Sequence, residues 1–173
     1  MENYEKETIA AIATALSDSG IGIVRISGEN AIYIVDSIFR SASGKKILTK
    51  VQSHMIHYGY IVDKDENIID EVMTSVMKAP KSYTMEDTVE INCHGGVLVM
   101  QKVLETVLQA GARLAEPGEF TKRAFLNGRI DLSRAEAVID VIHSQNEYAL
   151  SSSVSQLKGR LSDKIRSLRE DIL

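Results

Sequence analysis

The chain has 173 residues, of which 44% are hydrophobic, and its formal net charge is −4. The length suits one domain, or one domain and part of a second, with enough apolar residues for a core. The single cysteine, Cys93, excludes an internal disulfide and a cysteine-based zinc site, and it fits a reducing cytoplasm.

The charge and the N-terminus restrict the partners that this chain can be expected to bind. Non-specific binding of nucleic acid depends largely on neutralising phosphates, and a mildly acidic chain offers no general attraction of that kind. The N-terminus, MENYEKETIA, is polar and acidic, unlike a signal peptide, and no apolar run is long enough to span a bilayer. A cytoplasmic protein without a membrane partner is therefore predicted.

The first two thirds of the chain alternate between strand and helix patterns. Strands are predicted over residues 8–14 and 22–27, then an amphipathic helix from Ala31 to about Arg40 and a polar loop to residue 50. Residues 54–62 and 68–77 form a predicted hairpin around a polar turn. A strand over 88–94, a helix after Gly95-Gly96 and a short strand at 113–115 complete an α+β domain with a mixed sheet.

The sequence from 116 to 142 predicts a joint between two kinds of structure. A short helix over 119–126 ends at Asn127-Gly128, a pair that tolerates the left-handed conformation. Ser133 and Glu136 match a capping box at the start of a second helix. Arg129 lies on the short connector between these two helices.

The remaining sequence is predicted to be helical. From Tyr148 onward the apolar residues are spaced alternately by three and four, which gives one narrow stripe that needs partner helices. The expected organisation is an α+β domain over residues 1–117, followed at 118–173 by the first part of a helical domain of a longer protein. The stripe is formed by Leu150, Val154, Leu157, Leu161, Ile165, Leu168 and Ile172.

Several common catalytic patterns are missing from the sequence. There is no GxxxxGK[ST] phosphate-binding loop, and Gly20-Ile21-Gly22 is followed by Arg25 where a dinucleotide fingerprint needs its third glycine. No GxSxG elbow occurs, and the four histidines do not pair at helical metal-ligand spacing. No catalytic residue and no metal site are predicted in this chain.

Three charged residues are the candidates for binding a ligand. Arg25 lies on a largely apolar strand face, where it either forms a structural ion pair or holds an anion or carbonyl. Glu90 lies in mid-strand, either facing water or accepting two N–H bonds from a heterocycle. Arg129 either stabilises the end of the preceding helix or contacts the ligand. Such a set suits a small anionic heterocycle better than a complete active site.

Cys93 and His94 invite interpretation as a nucleophile and its base. Alternation along the strand sends their side chains to opposite faces and places Cys93 with Val89 and Ile91 in the core. Cys93 is therefore predicted to be a small core residue. Asn92 and the Gly95-Gly96 turn are second-line candidates for contacting a ligand.

Three segments carry a resemblance to a known family. GIGIVRISG, SYTMEDTVEINCHGG and EPGEFTKRAFLNGRIDLSRAEAVIDVI closely resemble the N-terminal region of the MnmE (TrmE) family of tRNA modification GTPases. The resemblance implies an N-terminal domain similar to folate-binding aminomethyltransferase domains, which forms a homodimer and binds a 5-formyl-tetrahydrofolate-type one-carbon donor. It also implies a helical domain that carries a GTPase domain.

The resemblance extends to partners and to individual residues. The family modifies carbon 5 of the wobble uridine of certain tRNAs with a flavoprotein partner, MnmG, and uses GTP, Mg²⁺ and K⁺ in its GTPase domain. Its folate contacts correspond here to Arg25, Glu90 and Arg129, although some members carry Lys at the last position. Because the phosphate-binding loop is absent from these 173 residues, the chain is not expected to hydrolyse GTP alone.

Two other functions remain open from the sequence. One is a structural dimerisation module without a ligand, and the other is a free-standing folate-dependent aminomethyltransferase. The absence of an evident general base argues against the second.

Overall fold

A computed structural model describes residues 7–159, which form two compact units that divide between Phe120 and Thr121. The strands of the first unit are β1 (Ile9–Ile12), β2 (Gly22–Ser27), β3 (Phe39–Ser41), β4 (Met55–Val62), β5 (Ile68–Met77), β6 (Thr88–Cys93) and β7 (Arg113–Leu114). They form one mixed sheet in the order β3-β4-β5-β6-β2-β1-β7, antiparallel throughout except for the parallel β1–β7 pair. The α+β class with a mixed sheet is therefore confirmed.

Two helices, α1 (Ala31–Ile38) and α2 (Val97–Gln109), pack against the sheet and contribute to the same hydrophobic core. Apolar side chains of β2 and β6, such as Val24 and Ile91, are completely buried with residues of both helices. One face of the sheet is thus the core face, and burial of its apolar surface is the main stabilising term.

The opposite face of β2 and β6 carries the side chains that alternate with the core residues. Arg25, Glu90 and Asn92 are all partly exposed, whereas Val89 and Cys93 are buried. The predicted alternation along residues 88–94 is confirmed, and it places both charged candidates on the face opposite the core.

The predicted polar loop after α1 contains regular structure. α1 ends at Ile38, before Arg40, and Phe39 turns at once to an extended conformation that starts β3. Phe39 is completely buried and pairs with Ile61 of β4, and a 3₁₀ helix follows at Leu48–Lys50. The prediction was wrong here because tertiary burial of Phe39 outweighs the weak local preference of a three-residue segment.

The second unit is helical in the part that the structure describes. α3 (Glu119–Leu126) begins in the first unit and continues into the second, which also holds α4 (Leu132–His143) and α5 (Glu147–Leu157). Gly128 has a left-handed backbone conformation (φ +77°). Its N–H donates to the Phe125 carbonyl, and the Arg129 N–H donates to the Ala124 carbonyl. This pair of bonds is a Schellman motif, so the predicted helix stop is confirmed.

The capping box predicted at Ser133 is wrong. The N-cap is Asp131, whose carboxylate accepts the Arg134 backbone N–H at 2.9 Å and the Ser133 hydroxyl at 2.8 Å. An aspartate two residues earlier caps equally well and adds a negative charge at the positive end of the helix, so Ser133 falls inside the first turn. The later residues of the predicted apolar stripe lie outside the described residues: Leu161, Ile165, Leu168 and Ile172.

Candidate functional site

The structure places Arg25 and Glu90 directly opposite each other on neighbouring strands. They are register partners in the antiparallel β2–β6 pair, and Arg25 Nε donates a hydrogen bond to Glu90 Oε1 at 2.8 Å. Residues at such positions have side chains within reach of each other on one face of a sheet. Two candidates that are 65 residues apart in sequence therefore form one charged pair.

This ion pair leaves much of its hydrogen-bonding capacity unused. Within residues 7–159 the terminal guanidinium nitrogens of Arg25 and Oε2 of Glu90 make no hydrogen bond. The two side chains remain 31% and 22% exposed, so a ligand can reach them. The pair presents several N–H donors beside a carboxylate oxygen, a combination that fits a ligand edge with both an acceptor and a donor.

An aromatic ring lies beside the guanidinium. Arg25 Cζ is 5.7 Å from the centre of the Phe120 ring, at the start of α3. This is a cation–π distance, worth about 0.5–1 kcal/mol at a partly exposed site. The ring restricts the guanidinium from one side, and nothing in the sequence pattern singled out Phe120.

Beyond Asn92 the same region contains a cavity of about 240 Å³. Next to it, Asp70 accepts the His94 backbone N–H at 2.8 Å and contacts His94 Nδ1 at 2.7 Å. Asp70 raises the pKa of His94 through this hydrogen bond and its charge. The sequence analysis noted His94 but missed Asp70, because the pairing depends on strand register. The cavity is lined by Gly20, Ile21, Tyr58, Glu71, Val72, Met73, Asn92, Cys93 and His94.

Cys93 has the properties of a core residue. It is 3% exposed, its thiol donates to the Gly22 carbonyl at 3.4 Å, and burial raises its pKa to about 11. A thiol in this state is protonated at neutral pH and is a poor nucleophile. The prediction of a core role is confirmed.

Arg129 belongs to the second unit. Its backbone N–H completes the Schellman motif, and its side chain is exposed. The structure thus brings together two of the three predicted contacts, Arg25 and Glu90, in the first unit. The role of Arg129 toward a ligand stays a prediction.

Residues 7–159 contain neither a membrane-spanning helix nor a cluster of metal-ligating side chains. No helix there is both long enough and apolar enough to cross a membrane. No group of three or more His, Cys, Asp or Glu side chains in those residues could hold a metal ion.

A family model described as "GTP-binding protein TrmE N-terminus" matches residues 8–129. This match covers most of the first unit and extends to the connector after α3. The chain belongs to the TrmE (MnmE) family. It carries the part of the family sequence that contains Arg25, Glu90 and Arg129.

Individual relatives agree with this assignment. Proteins named tRNA modification GTPase MnmE from Lachnoclostridium phytofermentans and Geobacillus kaustophilus are 64% and 58% identical over 96% and 98% of the chain. The corresponding protein from Bacillus subtilis is 54% identical over 96% of the chain. The chain spans 36–37% of the length of these relatives.

Proposed function

We propose that this chain is the folate-binding, dimerising N-terminal part of a tRNA-modifying GTPase. The observation that carries the proposal is the open Arg25–Glu90 pair in a chain of the TrmE family. The ligand proposed is a 5-formyl-tetrahydrofolate-type cofactor, which supplies a one-carbon unit when bound. In the whole protein the product is a wobble uridine modified at carbon 5 in a carboxymethylaminomethyl-type modification.

The chemistry of the pair fits a reduced pterin. Glu90 Oε2 can accept from the N–H groups of a pterin edge, while the terminal nitrogens of Arg25 can donate to an oxygen of the same ligand. The Arg25–Glu90 bond holds both groups in register before a ligand arrives, which lowers the entropy lost on binding. Arg129 is proposed as a third, cationic contact.

The other parts of the proposal concern the whole protein. GTP hydrolysis, with Mg²⁺ and K⁺, is assigned to a GTPase domain outside these 173 residues, because no phosphate-binding loop occurs in them. The partners proposed are a second copy of the chain, the flavoprotein MnmG and tRNA, in the cytoplasm. The acidic net charge of −4 is consistent with tRNA being held mainly by other segments or by the partner.

Isothermal titration with 5-formyl-tetrahydrofolate tests the ligand assignment. The unmodified chain should bind, and Glu90→Ala or Arg25→Ala should each lower the affinity by about 10- to 100-fold, the effect of losing a charge-assisted hydrogen bond. Arg129→Ala should lower it by a smaller factor, because that side chain is exposed.

Glu105→Ala is the matched control. Glu105 is an exposed glutamate on α2, a helix that packs on the core face of the sheet, opposite the face that carries Arg25 and Glu90, and its removal should leave the affinity unchanged. If the unmodified chain fails to bind the folate, or if the Arg25 and Glu90 variants bind as tightly as Glu105→Ala, the ligand assignment is wrong.

Sedimentation equilibrium tests the dimer separately. A concentration-dependent doubling of mass supports the homodimer, and a mass that stays at the 19.1 kDa of one chain contradicts it.

A further inference from the structure

On one side of the Arg25–Glu90 pair, the sheet face is covered by protein. The next pair along the same face is Ser27 and Thr88, which are 0% and 1% exposed. The Ser27 hydroxyl is 2.6 Å from that of Thr84 and donates to Glu86 at 2.7 Å, so the loop before β6 covers this end of the face. A ligand that sits on Arg25 and Glu90 cannot extend in this direction.

The same face is open on the other side. Two residues further along, Asn92 pairs with Ile23 on one side and with Met73 on the other, and Met73 pairs with Tyr58. Met73 and Tyr58 are 47% and 49% exposed and contribute to the wall of the cavity. At about 240 Å³ the cavity is smaller than the roughly 300–1,000 Å³ of a complete ligand pocket, so it suits one part of an elongated ligand.

His94 is one of the residues that line this cavity, and Asp70 holds it in place. The Asp70 side chain is only 10% exposed, and its carboxylate accepts hydrogen bonds from both the backbone N–H and the ring Nδ1 of His94. This arrangement fixes the tautomer with its proton on Nδ1 and leaves Nε2 without a hydrogen bond among residues 7–159. His94 itself is 69% exposed, so Nε2 is accessible to a ligand.

The other titratable groups around the cavity allow His94 to act as a donor. Hydrogen bonding with Tyr60, and then with Glu71, raises the pKa of Tyr58, which therefore stays protonated. Asp70 raises the pKa of His94 and so favours its charged form, in which Nε2 carries a proton. Cys93 is protonated as well, so the carboxylate and the imidazole that line the cavity are those of Glu71 and His94, and Asp70 bonds His94 from beside it.

We propose that the cavity is a second subsite for the ligand of Arg25 and Glu90, in which His94 donates a hydrogen bond to an oxygen at its far end. This inference rests on the proposed function. His94 is four residues beyond Glu90, about 13 Å along a strand. A tetrahydrofolate is an elongated molecule, with a pterin at one end, a benzoyl ring in the middle and glutamate carboxylates at the other. Its ring would pack on Met73 and Tyr58.

Titration of His94→Ala with 5-formyl-tetrahydrofolate tests this subsite. The variant should bind about tenfold more weakly than the unmodified chain, while His143→Ala, an exposed histidine of α4, should bind normally. A second ligand, 5-formyl-tetrahydropteroate, lacks the glutamate. If the tenfold loss disappears with that ligand, the acceptor is a glutamate oxygen, and if the loss persists, the acceptor belongs to the benzoyl group.

A measurement on the unmodified chain avoids any effect of a substitution on folding. The NMR titration midpoint of the His94 ring should rise when 5-formyl-tetrahydrofolate binds, because an acceptor at Nε2 stabilises the charged ring. Asp70→Asn should lower the midpoint in the free protein and weaken binding, which identifies Asp70 as a positioning residue.

Different experimental results would reject the His94 subsite and the folate assignment. If His94→Ala binds the folate normally while Glu90→Ala does not, or if the His94 midpoint is unchanged by bound folate, the subsite is wrong and the folate assignment stands. If the unmodified chain does not bind the folate, the proposed function and this extension of it both fail.

Discussion

Two arginine–glutamate pairs of the first unit, Arg113–Glu119 and Arg25–Glu90, differ in both burial and bonding. The Arg113–Glu119 side chains are 23% and 9% exposed, and the Arg25–Glu90 side chains are 31% and 22% exposed. Arg113 bonds both oxygens of Glu119 and also Glu7, whereas Arg25 makes a single bond to Glu90. The Arg113–Glu119 pair is more deeply buried and more fully bonded, whereas the Arg25–Glu90 pair is more exposed and keeps bonding groups that a ligand can reach.

Glu119 also connects its pair to the backbone. Its Oε2 accepts the Glu116 N–H at 2.8 Å, at the turn that leads into α3. Glu119 and Glu7 raise the pKa of Arg113, which stays charged under all ordinary conditions. The EPGEF segment therefore has a structural glutamate, Glu119, as its fourth residue.

The largest expected effect is that of Glu119→Ala on stability. Removing this carboxylate leaves a half-buried guanidinium without its main partner and an unpaired N–H at Glu116, and it should lower the free energy of unfolding by about 3 kcal/mol. Urea denaturation followed by circular dichroism measures the change. Glu105→Ala, on the exposed side of α2, should change it by less than about 0.5 kcal/mol. A loss below about 1 kcal/mol for Glu119→Ala would show that the pair is not structural.

Arg113→Lys should have an intermediate effect. The ammonium keeps the charge but cannot bond both oxygens of Glu119 and Glu7 in the planar arrangement of a guanidinium. The expected loss is about 1.5 kcal/mol in the same denaturation experiment. If lysine proves equivalent to arginine here, charge alone accounts for the pair and the bidentate geometry is irrelevant.

The open pair should contribute little to stability. A double-mutant cycle of Arg25→Ala and Glu90→Ala should give a coupling free energy below about 1 kcal/mol, because a single, partly exposed ion pair is screened by water. The cycle uses free energies of unfolding for the two single variants, the double variant and the unmodified chain. A coupling as large as that of Arg113 with Glu119 would make Arg25–Glu90 a structural pair as well.

The smallest expected effect concerns the His94–Asp70 pair, in which the histidine is exposed. Since Asp70 raises the folded-state pKa of His94 above its ordinary value of 6.5, the pair's contribution to stability is complete below about pH 6.5. That contribution is lost as the pH rises through the folded-state pKa. The difference in unfolding free energy between the unmodified chain and Asp70→Asn should therefore be larger at about pH 6 than at about pH 9. A difference that grows with pH has the wrong sign for this pair.

Some structural features follow from local sequence patterns, and others do not. Strand alternation placed Glu90 opposite the core and Cys93 inside it, because a period of two depends only on local geometry. The helix stop followed from the conformational preference of the pair Asn127-Gly128, and Gly128 is the residue that adopts the left-handed conformation. The cap at Ser133 failed because Asp131 and Ser133 are similar N-cap residues, and spacing alone does not choose between them.

The sequence by itself determined the alternation of strands and helices, the family of the chain and the identity of Arg25, Glu90 and Arg129 as candidates. Only the tertiary structure decided which glutamate each arginine meets and how many bonds remain unused. It also decided that Asp70 holds His94 beside a cavity. The physical reason is that pairing across a sheet depends on register between strands that are far apart in sequence. No local pattern encodes that register.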